Sequence, residues 1–219
     1  MDSARVRAVL FDLDGTLFDT DDVWLDGVLS RLGGVQRFRR PARAFLTWGE
    51  RSASRGLALL DRMNLDDDVD RLAARVLAWR RRPKPGTYRL IADVVEMLEP
   101  LAARYPLAVV TTRSRSRAQT MVAGAALDRH FRVISARDDT RRIKPHPEPI
   151  EHVAGLLGVS PAECLMVGDT TPDILAAKAA GAQSVGVLCG FGREADLRRA
   201  GADWILPSTA EVGALLGNG

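Results

Sequence analysis

Residues 8–16 of this 219-residue chain read AVLFDLDGT, and this stretch decides the fold. Four apolar residues are followed directly by a cluster with two acids and a glycine. An unbroken apolar run is typical of a strand that is buried on both faces of a sheet. The same order recurs at residues 107–114, LAVVTTRS, and at residues 164–171, CLMVGDTT, and a further apolar run covers residues 185–188. The chain is therefore predicted to contain several short buried strands, three of which end in polar clusters.

Helical patterns separate these strands, at residues 89–103, 115–126, 147–157 and 172–180. Alternation of strands and helices predicts an α/β protein with a doubly wound, Rossmann-like parallel sheet. In such sheets, ligands bind beyond the carboxyl ends of the strands. The three polar clusters are therefore expected to meet in one crevice.

One segment, residues 19–84, breaks the alternation. It contains helical patterns at about 21–32, 41–47, 52–63 and 68–81, with no clear buried strand. The sequence RPKPG at residues 82–86 stops a helix and resembles a hinge. We predict an α/β core made of residues 1–18 and 85–219, with a small helical domain of residues 19–84 inserted after the first strand. A chain of this length suits one large domain that carries an insert.

The composition excludes several classes of protein. Apolar residues make up 46% of the chain, too many for a disordered protein, yet no run approaches the ~18 residues of a membrane helix. The N-terminus lacks a secretory signal pattern. Cys164 and Cys189 lack metal-ligand spacing and are expected to be buried free thiols. We expect a soluble cytoplasmic protein with no membrane partner.

The charge pattern favours a small anionic partner. The net charge of +3 is too small to indicate nucleic acid. It is unevenly distributed, because residues 37–82 contain twelve arginines against six acids, a formal charge of +6. This is modest support for an anionic substrate that contacts the insert.

Asp12 and Asp14 follow the first strand, and Asp169 follows another. In an extended strand, residues two apart point to the same side. Two carboxylates at about 4 Å repel by about 4 kcal/mol at an effective dielectric near 20, so a cation or a proton must offset them. Oxygen ligands without His or Cys favour Mg²⁺. The alternative is that each acid caps a turn or a helix, as Asp often does.

The motif FDLDGTL at residues 11–17 resembles the first motif of the haloacid dehalogenase superfamily. Thr111 resembles the second motif and Lys144 the third. The sequence GDTTPD at residues 168–173 resembles the fourth. The insert at residues 19–84 resembles the helical cap domain of one branch of that superfamily. Four motifs in order span nearly the whole chain, which makes the resemblance specific.

The resemblance implies a catalytic role for each motif residue. Asp12 would be the nucleophile and form an aspartyl-phosphate. Asp14 would be the general acid and then the general base, with its side chain turned from the metal and its main-chain carbonyl coordinating. Thr111, helped by the main-chain N–H of Thr112, would bind the phosphoryl group. Lys144 would place a positive charge against the phosphoryl oxygens and Asp12.

The resemblance also implies a metal site. The predicted Mg²⁺ ligands are Asp12, Asp14, Asp169 and Asp173. Asp173 has an alternative explanation, because the sequence predicts Thr171 as a helix N-cap and an acid in the first helical turn is favourable without any function. A role near the metal would act through water or through Lys144.

Two features distinguish among the branches of the superfamily. Asp14 argues against dehalogenases and phosphonate-cleaving relatives, which lack an acid at this position. The chain has only three lysines, Lys84, Lys144 and Lys178, so the insert proper has none before the hinge. Phosphosugar mutases of this superfamily carry a lysine in the cap, which this chain lacks.

Arg113 is either a ligand for a substrate anion or an exposed residue at a helix start.

The leading hypothesis is a Mg²⁺-dependent phosphatase that hydrolyses a small phosphomonoester, similar to phosphoglycolate phosphatase. Its partner would be a small phosphorylated metabolite, and the protein would be a monomer or a homodimer. One alternative is a phosphosugar mutase resembling β-phosphoglucomutase. Another, of a different class, is a non-catalytic phosphate-binding regulatory protein. Pyrophosphate stays open as a substrate within the hydrolase class.

Overall fold

The computed structural model describes residues 2–19 and 88–217, which belong to one compact unit, Met1–Val23 together with Tyr88–Gly219. The predicted helical insert, residues 19–84, lies outside the described residues apart from Asp19, and it stays a prediction.

The core of the described unit is a parallel sheet. The strands are, in chain order, β1 (Ala8–Phe11), β2 (Phe18–Asp19), β3 (Arg89–Leu90), β4 (Leu107–Val110), β5 (Phe131–Ser135), β6 (Cys164–Gly168), β7 (Gln183–Val187) and β8 (Trp204–Leu206). Six of them form a sheet in the order β5-β4-β1-β6-β7-β8, with every neighbouring pair parallel. The short strands β2 and β3 pair antiparallel with each other. The chain builds outward from central β1 in both directions, which is the predicted doubly wound topology.

Helices connect the strands. The described helices are α1 (Val94–Arg104), α2 (Arg115–Gly124), α3 (Glu148–Leu157), α4 (Thr171–Ala180), α5 (Glu194–Ala200) and α6 (Val212–Gly217). The predicted bounds of α2, α3 and α4 agree with these to within two residues. Helix α1 begins five residues later than predicted, because residues 89–90 form β3 and Asp93 adopts a left-handed conformation (φ 60°) just before the helix.

Two hydrophobic clusters lie on opposite faces of the sheet. Val9 and Phe11 of β1 pack into one cluster with side chains of α1, α2 and α6. Ala8 and Leu10 pack into the other with side chains of α3 and α4. Because successive strand side chains point to opposite faces and both faces are covered, the strand reads as a continuous apolar run. The predicted fold class is therefore confirmed.

The edge strands β5 and β8 were not predicted, and their burial explains why. β5 has only one fully buried residue, Ser135, and Trp204 at the start of β8 is 43% exposed. An edge strand has a neighbour on one side only, so its sequence need not form an apolar run.

The structure also bears on the expectations for the two cysteines and for membrane helices. Cys164 and Cys189 are free thiols, but only Cys164 is buried, while Cys189 is partly accessible. No helix in the described ranges combines the length and apolarity needed to cross a bilayer.

Candidate active site

The residues that follow β4, β1 and β6 meet at one edge of the sheet. These three strands are adjacent, and Phe11 is in register with Val109 on one side and Val167 on the other. The main-chain N–H of Asp12 donates to the carbonyl of Val167 at 3.0 Å, which holds the first residue after β1 against β6. Parallel strands thus bring together polar residues that lie far apart in the sequence, as predicted.

Lys144 lies at the centre of this cluster. Its Nζ donates to Asp12 Oδ1 at 2.7 Å, to Asp173 Oδ1 at 2.6 Å and to the carbonyl of Val110 at 2.7 Å. An ammonium group has three N–H donors, and all three have acceptors here. Burial alone would lower the pKa of Lys144, but Asp12 and Asp173 outweigh it and raise that pKa above its ordinary value. The lysine is therefore a permanent, immobilised positive charge.

Three buried carboxylates lie close to one another. Asp12, Asp169 and Asp173 each offer an oxygen, and these oxygens lie within 4.8 Å of one another. Asp169 accepts hydrogen bonds from Thr16 Oγ1 at 3.2 Å and from the main-chain N–H of Phe191 at 2.8 Å. In the part of the chain that the structure describes, no basic side chain contacts Asp169.

This cluster contains more carboxylate groups than positive charges to neutralise them. Burial raises the pKa of Asp169 well above its usual range, and the charges of Asp173 and Asp12 raise it further. Burial raises the pKa of Asp12 to about 7, although Lys144 acts in the opposite direction. Within the described residues, the three buried carboxylates are accompanied by one lysine, which contacts two of them. A divalent cation would supply the missing positive charge, and the all-oxygen donor set is the kind that Mg²⁺ prefers.

Gly15 allows the chain to pass close to the carboxylate of Asp169. Its φ is +73°, a left-handed conformation that favours glycine, and a Cβ at this position would overlap the Asp169 side chain. The next residue, Thr16, donates its hydroxyl to Asp169. Gly15 and Thr16 are thus explained by their contacts with one carboxylate.

Asp14 does not point toward the carboxylate cluster. β1 ends at Phe11 and the chain bends at Leu13, so the extended geometry assumed from the sequence does not hold between Asp12 and Asp14. The Asp14 side chain forms a bidentate ion pair with Arg113, from Nε to Oδ2 and from Nη2 to Oδ1, each at 2.5 Å. Its orientation is compatible with the expectation that only the main-chain carbonyl of Asp14 faces a metal.

The contacts of Asp173 are compatible with both of the roles considered for it from the sequence. Its Oδ2 accepts from the main-chain N–H of Thr170 at 3.0 Å and from the Thr170 hydroxyl at 2.6 Å, while Oδ1 binds Lys144. The N-cap of α4 is Thr170, one residue before the predicted Thr171, because α4 begins at Thr171. The carboxylate therefore stabilises the helix start and also holds Lys144.

Thr111 and Thr112 differ in exposure. Thr111 is buried, its N–H donates to the carbonyl of Ser135 at 2.9 Å, and its Oγ1 accepts from the main-chain N–H of Arg113 at 3.2 Å. Thr112 is exposed. The contacts of the Phe191 N–H with Asp169 and of the Val110 carbonyl with Lys144 are not predicted from the sequence, and nothing local in the sequence marks either atom.

This arrangement matches a known family of hydrolases. Residues 9–187 fit the family model of haloacid dehalogenase-like hydrolases, and the chain belongs to this family.

Individual relatives agree with the assignment. The chain is 34% identical to a phosphoglycolate phosphatase of Neisseria meningitidis over 231 residues, covering 95% of this chain and 92% of the relative. It is 30% identical to the pyrophosphatase PpaX of Anoxybacillus flavithermus over 221 residues, covering 97% and 98%. Its structure resembles a haloacid dehalogenase-like hydrolase of Streptococcus pneumoniae, with a TM-score of 0.73 and 26% identity over 97% of this chain and 99% of the other. These findings confirm the family resemblance and support the predicted enzyme class, a phosphoric monoester hydrolase.

Proposed function

We propose that this protein is a Mg²⁺-dependent phosphatase that hydrolyses a small phosphomonoester through an aspartyl-phosphate on Asp12. The observation that carries the proposal is the buried cluster in which Asp12 contacts Lys144 and shares a potential metal site with Asp169 and Asp173. The names of the two relatives, phosphoglycolate phosphatase and pyrophosphatase, agree with chemistry at phosphorus.

The proposed Mg²⁺ site uses carboxylates of Asp12 and Asp169 together with the main-chain carbonyl of Asp14, and Asp173 lies beside it. When bound, Mg²⁺ would neutralise the excess carboxylate charge and polarise a phosphoryl oxygen. Asp173 does not bind the ion directly in this proposal, since one of its oxygens accepts from Thr170 and the other from Lys144. We assign it a supporting position beside the metal.

The first half-reaction transfers the phosphoryl group to the protein. A carboxylate oxygen of Asp12 attacks phosphorus, a new O–P bond forms, and the bond from phosphorus to the leaving oxygen breaks. Asp14, as the carboxylic acid, gives its proton to that oxygen, so that a neutral hydroxyl group departs. Lys144 Nζ, fixed 2.7 Å from Asp12 Oδ1, stabilises the negative charge that gathers on the phosphoryl oxygens.

The second half-reaction regenerates the protein. Asp14, now a carboxylate, takes a proton from a water molecule that attacks phosphorus. The bond from phosphorus to Asp12 breaks, inorganic phosphate leaves, and the carboxylate of Asp12 is restored. Thr111 and the N–H of Thr112 would hold the phosphoryl group through both steps, because they follow β4 directly beside Asp12.

The decisive experiment is Asp12→Asn, measured as phosphate release from p-nitrophenyl phosphate with Mg²⁺. We expect a loss of at least ~10³-fold, because an amide is a poor nucleophile at phosphorus. Asp128→Asn, at an exposed position on the same unit, is the matched control and should keep full activity. Equal turnover by the Asp12→Asn variant and the unmodified protein would disprove the enzyme hypothesis and favour the regulatory alternative.

A separate experiment addresses the mutase alternative. The protein would be incubated with glucose 1-phosphate and a bisphosphate primer, and both sugar isomers and free phosphate would be measured. A phosphatase releases phosphate. Isomer formation without free phosphate would make it a mutase instead.

The helical insert, a cytoplasmic location and a monomeric or homodimeric state stay predictions.

A further inference from the structure

Arg113 is the one arginine in direct contact with Asp14 among the described residues. Its Nε and Nη2 donate to the two carboxylate oxygens of Asp14, and the two side chains are 22% and 23% exposed. A pair that is partly withdrawn from water and bidentate is held more firmly than an ordinary surface ion pair. The guanidinium therefore has a defined position beside the proposed proton donor.

The contact with Asp14 uses only one edge of the guanidinium. An arginine side chain has five N–H donors, and this pair occupies two of them. Within residues 2–19 and 88–217, no acceptor binds Nη1 or the second hydrogen of Nη2. Among the described residues, the outer edge of the fork, formed by Nη1 and Nη2, therefore has no acceptor and can bind a planar anion while the inner edge keeps Asp14 in place.

Arg113 lies next to the residues that are proposed to take part in the reaction. Its main-chain N–H donates to Thr111 Oγ1, so the residue is tied to the segment proposed to hold the phosphoryl group. Burial would lower its pKa, but the hydrogen bond to Asp14 and the charge of Asp14 raise it above its ordinary value. A group bonded to the leaving oxygen would lie on the Asp14 side of the phosphorus atom.

We infer that the outer edge of Arg113 binds a second anionic group on the leaving part of the substrate. This inference rests on the proposed function and adds the substrate class to it. The substrate is a phosphate ester or anhydride whose leaving group carries its own negative charge close to the leaving oxygen. A carboxylate one carbon from the ester oxygen and the second phosphoryl group of a pyrophosphate both fit this description. Arg113 then positions that leaving group against Asp14, and a neutral leaving group gains nothing from the free edge.

The test compares phosphoglycolate with ethyl phosphate, a substrate of similar size that lacks the carboxylate, by kcat/KM for phosphate release. We expect a preference for phosphoglycolate of ~10- to 100-fold, the range of a hydrogen bond between charged groups. The variant Arg113→Met should reduce this ratio to within ~3-fold of unity. Arg113→Lys keeps the charge without the fork and should give an intermediate ratio.

A control variant separates this effect from a general loss of activity. Arg129→Met removes another ion-paired arginine, exposed and bound to Glu99 at 2.8 Å, and should leave the ratio unchanged. A pyrophosphate assay shows which source of the anion is preferred, since the larger loss in Arg113→Met identifies it.

A binding measurement provides a readout independent of turnover. The inhibitor 3-phosphonopropionate carries the carboxylate, and propylphosphonate lacks it, while neither can be hydrolysed. The ratio of their inhibition constants against p-nitrophenyl phosphate should fall by ~10-fold or more in Arg113→Met. Far-ultraviolet circular dichroism would verify that the variant is folded, and Arg113→Lys takes its place if it is not.

The outcomes that overturn the inference differ from those that overturn the proposed function. A ratio that stays the same in both Arg113 variants would show that Arg113 does not recognise the leaving group. The same conclusion would follow if the unmodified protein hydrolysed p-nitrophenyl phosphate but neither phosphoglycolate nor pyrophosphate. In both cases the phosphatase proposal would stand, because it depends on the Asp12→Asn result instead.

Discussion

The Nζ atom of Lys144 lies 2.7 Å from Oδ1 of Asp12, with 4% and 11% of the two side chains exposed. Neither charge could be buried alone at an acceptable free energy. The pair therefore stabilises the folded site, and at the same time it fixes the proposed nucleophile next to a positive charge. Because Lys144 also binds Asp173, a change at this lysine would affect two carboxylates.

Replacement of Lys144 tests this arrangement. In Lys144→Met, Asp12 and Asp173 would stay buried without a cation, so we expect the free energy of unfolding to fall by about 3–5 kcal/mol. Phosphate release should fall by ~10²-fold or more. The matched control is Lys178→Met, at an exposed lysine whose Nζ contacts the carbonyl of Gly201 at 3.3 Å. Urea unfolding curves of equal midpoint for the two variants would contradict the role given to Lys144.

Asp169 allows the metal to be tested separately from catalysis. Asp169→Asn removes a buried carboxylate that has no basic partner in the described ranges, so the variant should be more stable than the unmodified protein in EDTA. Addition of Mg²⁺ should raise the melting temperature of the unmodified protein and not that of the variant. Thermal unfolding with and without Mg²⁺ measures both effects. An equal Mg²⁺ response in the two proteins would place the ion elsewhere.

The pKa of Asp12 leads to a pH dependence of the metal-free protein. Burial raises this pKa to about 7 in the folded state, so the folded protein binds more protons at this site than the unfolded chain does. The free energy of unfolding should therefore fall as the pH rises from about 4 toward about 7. Asp12→Asn removes the titrating group, so its stability curve in EDTA should be flatter across that window. Parallel curves for the two proteins would show that Asp12 is not the cause.

Two glycines with almost the same φ angle form a matched pair of substitutions. Gly15 has φ +73° and would place a Cβ against Asp169, whereas Gly158 has φ +71° and open space around it. Gly158→Ala should cost only the left-handed conformation, about 1–2 kcal/mol. Gly15→Ala should cost a further ~1–3 kcal/mol from the overlap and should weaken the Mg²⁺ response. Equal melting temperatures and Mg²⁺ responses of the two variants would contradict a close approach of Gly15 to Asp169.

The central strands could be predicted because burial on both faces leaves a local mark. In β1, β4 and β6 every residue is apolar or small, and each run ends where the polar cluster begins. The rule that parallel strands present their carboxyl ends at one edge then predicts that Asp12 and Asp169 lie together. The edge strands β5 and β8 carry no such mark, because only part of each is buried.

The sequence alone therefore determined the central strands of the sheet, the edge at which their polar clusters meet and the acids Asp12 and Asp169 that gather there. These depend on short apolar runs and on the general geometry of parallel strands. The tertiary structure decided which partner each of those acids has. Asp14 meets Arg113 from 99 positions away, Lys144 bridges Asp12 and Asp173, and the N–H of Phe191 binds Asp169. Such contacts depend on the path of the loops after each strand, and a loop path is set by packing against distant residues rather than by a local pattern.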